Sequence, residues 1–256
     1  MDFLTAAMLA AVGVAAGIIA SIIGGAAVVV YPALIAAGVP PQAAAASNLT
    51  ALMPGTMLAA LADRSQLPKF NRDFVLLIIA SISGAAAGAV LLLWTPERLF
   101  TKLVPLLLGF ATLLFAYAER ISKWLRARAH KRGRSIEFDV TSLKFLLPVS
   151  FYGGYFGAGV GIMILGVFSV ATGGEYRSAN VTKNFVSSLN GFAASMVFIW
   201  QGAVMWPQTL ALMAGMLVGG IAGSYIARIL SREVVRVLVV GFGATLTIVF
   251  AWQYWF

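Results

Sequence analysis

Apolar residues gather in stretches at about 4–37, 42–62, 74–94, 97–117, 143–172, 178–200, 207–229 and 234–253, and polar or charged residues fall mostly in the short intervals between them. About 20 apolar residues in a helix cover the hydrocarbon core of a bilayer. Most of the stretches therefore predict one crossing each. The first and fifth do not fit, because each is roughly 30 residues or longer, well beyond one crossing. Glycine interrupts both, at Gly24 and Gly25 in the first and at Gly157, Gly159 and Gly161 in the fifth. Tyr31-Pro32 predicts a second break in the first stretch, since proline removes an amide donor and disfavours helix just before it. The pattern predicts an all-α membrane protein whose first and fifth segments are broken or re-entrant.

The two long stretches are related. Shifting the chain by 136 positions aligns its halves without a gap and pairs Gly17 with Gly153, Gly25 with Gly161, Ala43 with Ala179, Asn48 with Asn184, Gly55 with Gly191, Gly84 with Gly220 and Glu97 with Glu233. Glycine matches are common between membrane helices, so the asparagine and glutamate matches carry more weight. The alignment predicts a duplication, with a first four-segment repeat over 1–117, a basic cytoplasmic linker over 118–142 and a second repeat over 143–256.

Composition excludes a water-soluble fold: 61% of residues are hydrophobic and 11% charged, too little polar surface to cover a globular domain of this length. The net charge of +9 comes largely from the run Arg120, Lys123, Arg126, Arg128, Lys131, Arg132 and Arg134, which marks a cytoplasmic side. Trp124 alone among Phe, Tyr and Trp falls within it, short of the aromatic interleaving of a nucleic-acid surface. The 18 basic residues also discriminate between topologies. Eight single crossings divide them 11 against 7, whereas folding the first and fifth segments back to their own side divides them 16 against 2, with Arg98 and Lys102 alone outside. The second arrangement makes the halves enter the membrane from opposite sides, an inverted repeat with both termini outward. The start Met1-Asp2-Phe3 lacks a basic region before its apolar stretch, so the first segment is expected to stay in the fold.

Charge is as informative where it is missing. The nine acidic residues fall in termini, in loops or at segment ends, so neither a carboxylate proton relay nor an acid-lined cation path is expected. The chain has no cysteine and no nucleophile placed with a base, so an enzyme, a metal site or a cofactor is not expected. An anion path needs none of these groups. Half-helices broken at glycine direct positive ends toward the membrane interior, which makes Gly24, Gly25, Gly159 and Gly161 candidate backbone ligands.

Polar side chains cluster in matched helices, as Ser47, Asn48, Thr50 and Thr56 around Pro54-Gly55 and as Asn180, Thr182, Lys183, Asn184, Ser187, Ser188 and Asn190. Such groups either contact a solute or bond across helices as packing glue. Asn48, Thr50, Ser47, Lys183, Asn184, Asn180 and Ser187 are the candidate substrate ligands. Lys183 either counters an anion's charge or snorkels to the headgroups. Glycines four apart, Gly84 with Gly88 and Gly215 with Gly219 and Gly223, read as close helix contacts. Trp200, Trp206, Trp252, Tyr254 and Trp255 read as interfacial anchors.

These residues also carry a family resemblance over essentially the whole chain. The glycine-broken first segment followed by Gly38-Val39-Pro40 and Ser47-Asn48-Leu49-Thr50-Ala51-Leu52, then Asn180-Val181-Thr182-Lys183-Asn184, then Trp206-Pro207 ahead of the Gly215 to Gly223 ridge, resembles the TauE/SafE sulfite and sulfonate exporters. The first glycine cluster, Ile23-Gly24-Gly25-Ala26, has fewer glycines than is usual there. The resemblance implies a duplicated membrane protein that exports a small sulfur-containing anion, sulfite or a short organosulfonate such as sulfoacetate, across a bacterial inner membrane. The expected partners are that anion and the lipid bilayer, with no nucleic acid, and a homo-oligomer is compatible with the sequence. A non-transporting scaffold or receptor working through the basic loop is the alternative.

Overall fold

The structure, a computed structural model, describes residues 1–22, 26–131, 140–171, 176–226 and 232–256. Among these the regular elements are helices: α1 (Phe3–Ile22), α2 (Ala26–Ala36), α3 (Pro41–Ala62), α4 (Arg72–Trp94), α5 (Glu97–Lys131), α6 (Val140–Tyr155), α7 (Val160–Ala171), α8 (Tyr176–Trp200), α9 (Trp206–Ile226) and α10 (Arg232–Trp255), with a 3-10 turn at Arg64–Gln66. Among the described residues five spans are long and apolar enough to cross a membrane: Phe3–Ala20, Pro41–Ala62, Arg72–Trp94, Glu97–Ile121 and Glu233–Trp255. Large apolar side chains such as Leu106, Leu113, Val237, Leu238 and Ile248 point outward. That distribution suits lipid rather than water as the solvent, and the chain is a multi-pass membrane protein.

The fifth segment is two helices. α6 ends at Tyr155 and α7 starts at Val160, and the connection turns through Gly157 (φ 81°) and Gly159 (φ 79°), left-handed conformations that glycine adopts without steric cost. The Tyr152 hydroxyl donates to the Ala158 carbonyl at 2.8 Å and fixes the turn. In the first segment Gly24 and Gly25 lie outside the described residues. The break expected at Tyr31-Pro32 does not occur, because α2 runs through Pro32. One missing amide is tolerated inside a helix buried among other helices. The basic run is also more regular than a linker: α5 continues through Lys131, and residues 132–139 lie outside the described set.

Small residues bring helices from the two halves together. α1 lies parallel to α9, with Gly13 against Leu212 and Gly215, and Gly17 against Met216, Gly219 and Gly220. In the same way α6 lies parallel to α4, with Leu147 at Gly84, Phe151 at Gly88 and Gly154 at Ala85. α3 and α8 cross antiparallel: Ser195 donates to Thr50 at 3.0 Å, Gly191 sits on Met53, and Ser188 reaches the Met57 sulfur at 3.6 Å. α5 and α10 are antiparallel too, tied at one end by Trp255 to the Lys102 carbonyl (3.0 Å) and at the other by Arg236 to Glu119 (2.5 Å). The 136-position shift carries the α1–α9 pairing onto α6–α4 and the α3–α8 and α5–α10 pairings onto themselves.

The ends of the bundle are marked by polar contacts. Arg177 at the start of α8 forms a two-point ion pair with Asp63 at the end of α3, at 2.7 and 2.9 Å, and Ser178 donates to the Gln66 carbonyl at 2.9 Å. At the opposite end of α3, Gln42 donates to the carbonyls of Leu92 and Thr95 where α4 ends. The Tyr155 hydroxyl reaches Thr95 there at 3.4 Å.

Candidate functional site

The α6–α7 turn is the point on which several elements converge. Leu49 of α3 packs on Gly157, Ala111 and Leu114 of α5 pack on Gly159, and the Tyr31 ring of α2 meets Phe156 edge-on at 5.2 Å. Both glycines are tightly enclosed as well as left-handed, since a Cβ on Gly157 would strike the Leu49 side chain. Gly161 falls in the first turn of α7, a turn that carries no acidic side chain. The positive end of the α7 dipole is thus unopposed from within its own helix.

Beside this turn are polar atoms with no partner. Asn48 is fully buried and neither its Oδ1 nor its Nδ2 is hydrogen-bonded, and the Tyr31 hydroxyl is buried and unbonded as well. A short connection folds α2 back against α3, through Val39 N–H to the Leu34 carbonyl at 3.0 Å. Tyr31 is five residues before the end of α2 and Asn48 seven residues into α3, so at about 1.5 Å per residue they lie at nearly the same depth. Leaving such groups unbonded costs about 1–3 kcal/mol each. α2 has only 11 residues, about 16 Å of helix, and runs back along the first half of α3. Gly55, two turns beyond Asn48 on the same face, adjoins open space: a Cβ there would meet nothing within 4 Å.

On the other side of Asn48 the bundle is closed. Ala44, Ala45 and Ala46 are fully buried, and an aromatic cluster fills the space around the turn, with Tyr31 against Phe156 and Phe250 and Phe100 against Tyr155 and Phe156.

The second-half candidates form a separate surface. Asn180, Lys183, Asn184 and Ser187 are spaced i, i+3, i+4, i+7 and share one face of α8. Asn180, Lys183 and Asn184 are half-buried, and the Ser187 hydroxyl is buried without a partner. Among the described residues no carboxylate pairs with Lys183. α3 and α8 cross near Met53 and Gly191, so Asn48 and Asn184 lie on opposite sides of the crossing, roughly 20 Å apart along the helix axes. The two matched asparagines are therefore not brought together.

Several polar candidates serve helix contacts. Ser47 accepts from the Met205 amide at 3.0 Å where α9 begins, and Thr50 donates to the Ala46 carbonyl while accepting from Ser195. Thr182 bonds back to the Ser178 carbonyl. Asn190 joins Ser81 (2.8 Å) and Ser150 (3.0 Å) in a buried triad linking α8, α4 and α6. Tyr31 was missed by sequence reasoning. A tyrosine before a proline in an apolar stretch looks like a helix break or an interfacial anchor, and its burial becomes visible only once α2 packs on the turn.

A lipid-facing helical bundle that holds buried amide and hydroxyl groups without protein partners suits a membrane transporter. The chain belongs to the TauE/SafE family: the family model "Sulfite exporter TauE/SafE" matches residues 9–250. It is 28% identical over 237 residues to a "Probable membrane transporter protein" of Haemophilus influenzae, covering 91% of this chain and 89% of the relative. It is 29% identical to "Probable membrane transporter protein ORF9" of a Sinorhizobium species, with 88% and 84% covered. It is 24% identical to "Probable membrane transporter protein YfcA" of Escherichia coli K12, with 90% and 83% covered. No solved structure matches the chain.

Proposed function

We propose that this membrane transporter exports a small sulfur-containing anion, sulfite or a short organosulfonate such as sulfoacetate, across the bacterial inner membrane. The observation that carries the reading is Asn48: a fully buried amide with no protein partner, beside a helix break whose following dipole is unopposed. Asn180, Lys183, Asn184 and Ser187 form the entry surface, where one positive charge and no negative one receive an anion. With the cell interior negative, the potential favours outward movement by about 2.3 kcal/mol per charge per 100 mV. Export then needs no coupled ion.

The two halves form an inverted repeat, with the first segment of each re-entrant. Three observations support this. α3 runs antiparallel to its repeat mate α8, and α5 to α10, as expected for oppositely oriented copies. Asp63 and Arg177 pair at one end of the bundle, whereas eight single crossings would put them on opposite membrane faces. The basic residues then divide 16 against 2. In this arrangement the open space at Gly55 lies on the cytoplasmic side of Asn48 and the aromatic cluster on the outer side, an inward-facing arrangement.

Purified chain in proteoliposomes should carry labelled sulfite or sulfoacetate down an imposed potential, and Lys183→Ala should lower that flux severalfold. The absence of flux of any anion under a potential would end this reading in favour of a scaffold working through the basic helix.

A further inference from the structure

Asn48 offers more than a place for negative charge. A sulfonate or sulfite oxygen can satisfy N–H and O–H donors, and the Asn48 Nδ2 and the Tyr31 hydroxyl are such donors. The Asn48 carbonyl oxygen is the complication. It is a buried acceptor with no partner, and it remains one whichever way the amide is turned. An anion with acceptors alone would leave this oxygen unbonded and hold two electronegative atoms together in a buried, low-dielectric place, where electrostatic repulsion is strong.

The surrounding protein does not relieve that mismatch. Ser47 and Thr50, the adjacent hydroxyls on α3, are already engaged with Met205, Ala46 and Ser195. The neighbours toward the start of α3 are alanines, and Leu49 is occupied against Gly157. The donor that completes Asn48 has to arrive with the solute. No cation lies next to Asn48 on α3 either, so a second negative charge would meet only the partial charge of a helix end.

We infer that Asn48 and Tyr31 form a selectivity seat for a singly charged oxyanion that carries its own O–H or N–H donor: hydrogensulfite rather than the sulfite dianion, and hydroxy- or amino-substituted sulfonates rather than plain alkylsulfonates. The donor pairs with Asn48 Oδ1, and the anionic oxygens take Asn48 Nδ2 and the Tyr31 hydroxyl. This rests on the anion-export reading and narrows it, setting aside sulfoacetate, a dianion at neutral pH with no donor of its own. A seat built to hydrogen-bond a solute rejects the analogue lacking that group, because its own buried polar atom is left unpaired.

Two probes of equal charge and closely similar size isolate the donor: 2-hydroxyethanesulfonate and 1-propanesulfonate, which differ by a hydroxyl in place of a methyl. In proteoliposomes the wild-type chain should prefer the hydroxy probe about tenfold or more in half-saturating concentration. Asn48→Leu should bring that ratio near one in protein whose melting temperature shows it folded, whereas Tyr31→Phe should weaken both probes alike and keep the ratio. Equal handling by wild type, or a preference that survives Asn48→Leu, overturns the donor requirement while leaving anion export standing. If sulfite alone is carried, flux that follows the hydrogen anion as pH is varied supports the seat, and flux that follows the dianion overturns it. If neither probe nor sulfite moves, the transporter reading fails first.

Discussion

Asn48 shows at the scale of one residue how stability and function diverge. A buried amide with both ends unbonded is a liability in a resting fold, since an apolar side chain of similar size would carry no desolvation penalty. Asn48→Leu is therefore expected to raise the melting temperature of the detergent-purified protein, by the equivalent of about 1–3 kcal/mol, while weakening transport and removing the preference for the hydroxy probe. A purely structural asparagine would behave oppositely, lowering the melting temperature when replaced. Thr50 illustrates the other case: its hydroxyl is paired on both sides, to Ala46 and Ser195, and belongs to the α3–α8 contact.

At the scale of helices the decisive groups are glycines, and what matters is what each one faces. A Cβ on Gly88 would run into the Phe151 carbonyl, and one on Gly154 into the Ala85 carbonyl, so neither helix of the α4–α6 pair can yield without a backbone shift. Gly241 on α10 has nothing within 4 Å of the same position. Gly88→Ala should therefore destabilise the protein by about 1–3 kcal/mol, and Gly241→Ala should leave it unchanged or stabilise it by up to about 1 kcal/mol through helix propensity; paired melting curves in one detergent check both.

The sequence made the ridge Gly84–Gly88 legible as a close contact, because small residues four apart have one common use in membrane helices. Its partner was not legible. The ridge meets α6 of the other half, and the fold alone reveals that α1 belongs with α9 and α6 with α4. For the same reason the spacing exposed the polar face of α8, whereas the role of Asn190 depends on Ser81 and Ser150, which lie 109 and 40 residues away in sequence. Local periodicity tells which face of a helix is polar; three-dimensional packing decides whether that face meets another helix or open space.

At the scale of the whole molecule, the proposed inverted topology ties the charge distribution and the helix pairings into one claim. Arg177 is largely exposed and Asp63 partly so, and a pair this open to solvent contributes about 0–1 kcal/mol, so its importance is positional rather than energetic. It brings the end of α3 and the start of α8 to one face, as the proposed return of α6 and α7 to the side they came from predicts. Absence of native cysteine makes this directly measurable. Single cysteines at Lys69 and Arg177 should react with a membrane-impermeant maleimide in inside-out vesicles and be protected in intact cells, and one at Lys102, beside Trp255, should show the reverse. A plain eight-crossing bundle separates Lys69 from Arg177. Labelling of the two from opposite sides would remove the re-entrant fifth segment and the inverted repeat together, because both depend on α6 and α7 forming a hairpin that returns to the cytoplasmic side.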